Sequence, residues 1–185
     1  MTWGGTATLY SKNYTCGHCG SDIVSNLGYF SSKNQCIYIC HKCFSPSYFY
    51  DKIQIPGALH TASFQNLDPK INDIYNEARN CFSANAFTAS VMCCRKLLMH
   101  ITVDKGAKQN VTFKDYVTYL LDKNYISIEH KDWVDHIREK GNEANHEIVI
   151  MQKSEAEDLL EFCEMLLKTL YDYPNKMKNK KIQYR

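Results

Sequence analysis

Two cysteine pairs constrain this chain more than any other feature. Cys16-Gly-His-Cys19 and Cys40-His-Lys-Cys43 are C-x2-C knuckles separated by twenty residues. Zinc favours four ligands in a tetrahedron, and two knuckles carried on two turns supply four thiolates in that arrangement. The run between them is long enough for a hairpin, with Gly28 and "SSKN" (31–34) as turns. The spacing predicts a zinc ribbon, its ion held by Cys16, Cys19, Cys40 and Cys43. A closed four-thiolate shell leaves no position for water, so this metal is expected to fold the region and not to catalyse. A redox C-x-x-C usually stands alone beside a βαβ pattern, and no such pattern is present. His18 and His41 lie inside the knuckles and can substitute as ligands, although four cysteines already complete the shell. Cys36, in "CIYIC", would share a strand face with Tyr38 and Cys40 and so approach the metal. It lacks a partner knuckle and reads as a core thiol.

The texture of the chain changes once. Residues 1–55 are rich in Gly, Ser, Tyr, Cys and Asn, and "QCIYIC" and "SYFYDKIQI" alternate with period two, a strand signal. The stretch 56–68 opens on Pro56-Gly57, ends at Asp68 just before Pro69, and reads as a linker. From there the spacing is helical. One helix follows Pro69, which suits a first turn. A second, 86–106, puts Phe87, Val91, Cys94, Leu98 and Ile101 on one stripe and stops at Gly106. A third starts near Thr112 with Phe113, Val117, Leu120 and Leu121 inward. A fourth spans about 130–151. In a fifth, Ser154 and Glu157 form a capping box and Pro174 stops the helix. Cys81, Cys93, Cys94 and Cys163 fall at mostly apolar helical positions and read as buried thiols. The expected fold class is therefore mainly α: a five-helix bundle over 69–174, preceded by a small β zinc ribbon over 1–55 and followed by a basic tail, 175–185.

Composition excludes several classes. Hydrophobic residues at 44% and charged residues at 23% fit a globular chain and not a disordered one. No apolar run approaches the roughly 20 residues of a membrane span, and no basic-then-apolar leader opens the chain. A cytoplasmic location without membrane contact is expected, with the remaining cysteines reduced. The net charge is +2, yet the last ten residues alone hold four Lys and one Arg and no acid. The body is thus mildly acidic, and any attraction to phosphate would be local, at Lys178, Lys180 and Lys181. There is no Walker phosphate loop, no Ser-His-Asp order and no pair of metal carboxylates.

The fourth helix carries the most suggestive pattern. Trp133, Ile137, Gly141, Ala144 and Ile148 fall within an arc of about 80° and form its packing stripe. Arg138, Asn142 and His146, spaced four and four, form a second row about 140° away. The packing of one copy does not explain that row. Solvent covers it, or else a partner subunit, a second domain or a ligand does. Asn145 lies at its edge, and Glu139, Glu143 and Glu147 run along the next face.

The stretches "SVMCCRKLLMHITVDKGA" (90–107), "LLDKNYI" (120–126) and above all "WVDHIREKGNEANH" (133–146) resemble a bacterial domain-of-unknown-function family within the HEPN superfamily (higher eukaryotes and prokaryotes nucleotide-binding). The likeness covers the last two thirds of the chain, and an N-terminal ribbon is also seen in that family. It implies a HEPN-like helical bundle, often a homodimer. Many superfamily members are metal-independent ribonucleases of toxin and phage-defence systems. Their signature is Arg followed after four to six residues by His, often with Asn beside the Arg. The resemblance implies RNA or another nucleic acid as partner, a protein partner in a defence system, and Arg138, Asn142 and His146 as catalytic residues. His would move a proton at the 2′-hydroxyl or leaving oxygen, and Arg would hold the phosphate. In this chain seven residues separate Arg138 from His146, and Gly141 stands where active members carry Arg. Arg138 from one turn earlier, or Arg95 from another helix, is the candidate replacement; the alternative is a non-catalytic interaction module. Arg95, Asn145 and the tail lysines are the expected nucleic-acid contacts.

Overall fold

The computed structural model describes residues 3–31, 35–130, 132–137 and 150–183. The chain forms two units, one of Met1–His60 with Asn80–Ala86 and one of Thr61–Arg79 with Phe87–Arg185.

In the first unit, five antiparallel strands follow one another in a single sheet: β1 (Ala7–Thr15), β2 (Asp22–Ser31), β3 (Gln35–Ile39), β4 (Pro46–Tyr50) and β5 (Ile53–Ile55). Alternation decides which side of each strand is buried. Tyr14, Ile23, Tyr38 and Phe49 point to one face, where they form a core with Cys16 and Cys40. That core is made largely of rings. Phe49 meets Tyr14 at 5.0 Å and Tyr38 at 5.5 Å, both edge to face, an arrangement that aromatic quadrupoles favour. So few large side chains make a thin core for a unit of this length, and small units of this kind depend on a staple.

The expected class, mainly α with a small ribbon, is corrected by this sheet. Five antiparallel strands lie in one continuous sheet, so the β part is a sheet of its own and not a small appendage to the helices. The two longest strands, "ATLYSKNYT" and "DIVSNLGYFS", make the difference. They flank the first knuckle and enlarge the ribbon into a sheet with a core of its own. The β2–β3 pairing ends at Ser31 with Gln35, and 32–34, the rest of the expected "SSKN" turn, lie outside the described residues. Gly28 is not a turn but lies inside β2, between Ala7 and Tyr38.

Helix α1 (Pro69–Ser83) belongs to the second unit as far as Arg79 and to the first from Asn80, and the second unit also contains α2 (Phe87–Asp104), α3 (Phe113–Asp122), a short 3-10 turn at Ile128–His130, a helical stretch at 132–137, α4 (Lys153–Leu167) and α5 (Tyr173–Gln183). The predicted stripe of α2 is buried at Val91, Cys94, Leu98 and Ile101. Gly106 ends that helix with φ +100°, a conformation open to glycine at little cost. Thr112 caps α3 by accepting from the Asp115 N–H while the Asp115 carboxylate accepts from the Thr112 N–H. The cap of α4 lies two residues earlier than expected, where Glu155 accepts from the Gln152 N–H at 2.7 Å.

Pro174 does not stop the last helix. Proline has no N–H to give to the carbonyl four residues back. The chain meets this by widening into a π turn at Lys168–Asp172, where the Tyr173 N–H reaches the Lys168 carbonyl, and it then resumes as α5. The start of the basic tail is therefore helical, with Lys176 bonded to the buried Asp172 at 2.6 Å. No helix among the described residues is long and apolar enough to cross a membrane.

Candidate metal centre

Both knuckles fold by the same local hydrogen bonds. At the first, the Cys16 N–H donates to Ser21 O and the Gly20 N–H to Cys16 O. At the second, the Cys40 N–H donates to Ser45 O and the Phe44 N–H to Cys40 O. The fourth residue after each leading cysteine has positive φ, +68° at Gly20 and +59° at Phe44. The turn thus needs a left-handed residue at that position whatever its side chain. Glycine meets this without strain, whereas a bulky residue there costs about 1–2 kcal/mol. Phe44 is half-exposed, and its own carbonyl accepts the Trp3 indole N–H at 2.7 Å. Phe44→Gly is expected to raise stability by about 1 kcal/mol, since the Trp3 bond uses only backbone. Thermal melting of the metal-loaded protein checks this, and an unchanged or lower midpoint would mean that the Phe44 ring contributes more than its backbone costs.

The four sulfurs converge. The Sγ atoms of Cys16, Cys19, Cys40 and Cys43 all lie within 4.8 Å of one another. Cys16 and Cys43 are 3.7 Å apart, and Cys19 and Cys40 are 3.8 Å apart. A tetrahedron of thiolates about 2.3 Å from a central ion has edges of about 3.8 Å, so the spacing fits a metal without rearrangement. It is far too wide for disulfides. Cys16 and Cys40 are buried, while Cys19 is exposed. The His18 N–H points at Cys16 Sγ at 3.4 Å, and the His18 ring nitrogen Nε2 bonds to the Pro46 carbonyl at 2.9 Å, so this imidazole ties one knuckle to β4.

The thiols are not equivalent. Burial pushes Cys16 up to about 12. Burial also acts upward on Cys19, but hydrogen bonds from Ser21, Cys43 and Cys16 outweigh it and bring this thiol down to about 7. Burial raises Cys40 as well. Cys19 is thus the group that first presents a thiolate to an incoming cation, and the ion must displace protons from its more buried neighbours. Cys36 stands apart from the four, packed against the sheet core. Among the described residues this is the one cluster of three or more metal-ligating side chains.

A family model described as a domain of unknown function, DUF4145, matches residues 76–185. The chain belongs to the DUF4145 family. No curated protein and no solved structure matches it. The DUF4145 match begins within α1 and leaves out all four thiols, so the metal centre lies in the part of the chain that the family model does not cover.

Within the DUF4145 region the expected site residues are distributed unevenly. Arg138, Asn142, Asn145 and His146 lie outside the described residues, as do Gly141, Ala144 and Ile148 of the expected packing stripe. Trp133 and Ile137, which begin that stripe, are in place. Trp133 meets Phe162 edge to face at 5.1 Å, and Ile137 is buried. Arg95 is on α2 and only 3% exposed, with its guanidinium 4.3 Å from the centre of the Phe113 ring. Burial lowers its pKa, and its Nη1 has no hydrogen-bond partner among the described residues. Lys178 is exposed on α5. Lys180 and Lys181 continue that helix, their side chains lying outside the described residues.

Sequence reasoning missed Ser21, Ser45 and the left-handed positions of the knuckles. The available signal was the repeat of C-x2-C-x-S, which reads Cys16, Cys19, Ser21 and then Cys40, Cys43, Ser45.

Proposed function

We propose that the protein binds nucleic acid as a member of the HEPN superfamily, with RNA as its target, in a bacterial defence or toxin system. The four thiols hold zinc, and the ion is structural because four protein ligands close its shell. Chemistry therefore belongs to the helical part. There His146 takes the 2′-hydroxyl proton of RNA or gives one to the leaving oxygen, while Arg138 and Asn142 hold the scissile phosphate. The protein works in the cytoplasm as a homodimer in which two such rows meet. The observation that carries this reading is the extent of the family match, which over 76–185 encloses the whole Arg138, Asn142 and His146 row on which the HEPN likeness rests.

The test incubates the zinc-loaded protein with labelled single-stranded RNA and no added metal. Binding and slow cleavage are expected, with cleavage lost and binding kept in His146→Ala. Gly141 favours a second reading, a non-catalytic interaction module, because active relatives carry Arg at that position. RNA binding without cleavage by wild type, together with full biological activity of His146→Ala, would select that module. Absence of RNA binding would remove the nucleic-acid reading altogether.

A further inference from the structure

The first knuckle carries two thiols and also packs its backbone against another stretch of backbone. Gly17 follows Cys16, and a Cβ placed on it would overlap the carbonyl oxygens of both Pro56 and Gly57. Only glycine permits so close an approach. A second tie lies beside it, where Gln54 Nε2 donates to the Thr15 carbonyl at 2.8 Å. The stretch 54–57 is thereby held to the knuckle at two points. Gly57 then reaches onward, its N–H donating to the Ser83 carbonyl at 2.7 Å. Ser83 is the last residue of α1. One residue earlier on that helix, the Phe82 ring stands 5.2 Å from the His60 ring. All of these residues belong to the first unit, which takes in Asn80–Ala86.

The Gly57 bond completes the end of α1. The last four carbonyls of an α-helix must find donors beyond its final residue. Here the Ala84 N–H reaches the Asn80 carbonyl, the Ala86 N–H that of Cys81 and the Asn85 N–H that of Phe82, with Asn85 left-handed at φ +60°. The Ser83 carbonyl is the one left over, and Gly57 supplies its donor from outside the helix. Ser83 is buried, and a buried carbonyl stripped of its donor is costly. We propose that the metal centre controls the C-terminal end of α1. With four thiolates closed on an ion, the first knuckle keeps the turn on which Pro56 and Gly57 rest, and Gly57 keeps its bond to Ser83. When the ion is lost the knuckle loosens, Gly57 withdraws and the turn at Asn80–Ala86 opens. That turn lies inside the family match, which the four ligands do not, so the state of the metal is felt within the family's own region of the chain. The proposal rests on the reading that the four thiols hold zinc, and it adds a regulatory role to the structural one.

Hydrogen exchange on the full chain, zinc-loaded and then chelated, tests this. The amides of Ala84, Asn85 and Ala86 should exchange about 10-fold or more faster without the metal, while those of Leu98 and Ile101 in α2 keep their protection. Unchanged exchange at 84–86 after complete metal loss overturns the proposal. Gly17→Ala separates the packing contact from the ion. It keeps all four thiols, so it should take up zinc in the wild-type ratio and yet show fast exchange at 84–86 while loaded. Gly57→Ala disturbs the same path from the helix side, because its Cβ would come 3.1 Å from the Ser83 oxygen, and it should act in the same direction by a smaller factor. Wild-type exchange at 84–86 in zinc-loaded Gly17→Ala, or in zinc-loaded Gly57→Ala where Gly17→Ala fails to load, overturns the proposal and leaves the metal reading standing. A wild-type chain that takes up no zinc overturns both.

Discussion

Removing the metal is expected to unfold the β unit and leave the helical unit standing. The reason is the size of the first core, whose buried members are Tyr14, Cys16, Ile23, Tyr38, Cys40 and Phe49. Two of the six are ligands, so without the ion the same residues become thiols crowded within 4.8 Å. Structural zinc contributes on the order of 10–16 kcal/mol to small domains that need it, more than the whole stability of an ordinary domain. The helical unit has an independent core, with Leu97, Leu98, Ile101, Val117, Leu120, Leu160 and Leu166 all fully buried. The chain holds two tryptophans, and each reports on one unit. Trp3 donates to Phe44 beside the second knuckle, and Trp133 packs on Phe162. In a Trp133→Phe background, chelation should shift Trp3 emission to the red while the helical circular dichroism persists. Cys16→Ser should reproduce the shift without chelator, and Cys36→Ser should not. Stoichiometric metal loss with no change in Trp3 emission would mean that the sheet stands on its rings alone.

The same centre fixes the sign of a pH effect. Metal binds thiolates, so protons compete with it and affinity falls as pH falls. Cys16, held up to about 12 by burial, is protonated in the metal-free protein across the working range and gives up its proton on loading at any such pH. Cys19, brought down to about 7, is already a thiolate above neutrality and gains a proton below it. The slope of affinity against pH should therefore steepen by about one proton on passing below pH 7, and a zinc titration from pH 8 to pH 6 would reveal it. A constant slope would mean that Cys19 is not the thiol that titrates.

What could be read in the sequence followed from how local each signal was. The four ligands were legible because a knuckle is a four-residue pattern whose chemistry is complete in itself. The α2 stripe and the Thr112 start of α3 were legible for the same reason, since helical contacts are three and four residues apart. The extent of the sheet was not. Tyr14 is buried because it pairs with Ile23 and meets Phe49, and those partners lie far along the chain. Pro174 was read by its usual local effect, and the π turn that accommodates it leaves no mark in residue types. Gly28 shows the limit most clearly. Glycine signals a turn or a close approach with equal strength, and only the neighbouring strand tells which.

Gly28 accordingly tolerates no side chain, and Gly28→Ala should be among the most damaging single changes in the β unit. A Cβ there would lie 1.8 Å from the Ile37 carbonyl oxygen and 2.9 Å from its carbon. Both are backbone atoms of β3, held in the ladder by pairs on either side, including Gly28 with Tyr38 and Tyr29 with Ile37. Backbone in the middle of a sheet cannot rotate away as a flexible side chain does, so relief requires β2 and β3 to separate. Tyr38 then loses its route to the Tyr10 carbonyl, and β3, which leads into the second knuckle, loses its register with β2. A cost of about 3 kcal/mol or more is expected, at the upper end of overpacking effects. Gly4 supplies the control, because a Cβ there meets nothing within 4 Å and Gly4→Ala should be close to neutral. Melting of both variants in the zinc-loaded state checks the contrast, together with the rate at which a chelator strips the metal. Equal midpoints and equal stripping rates would show that β2 and β3 can part locally at that point without cost to the metal centre.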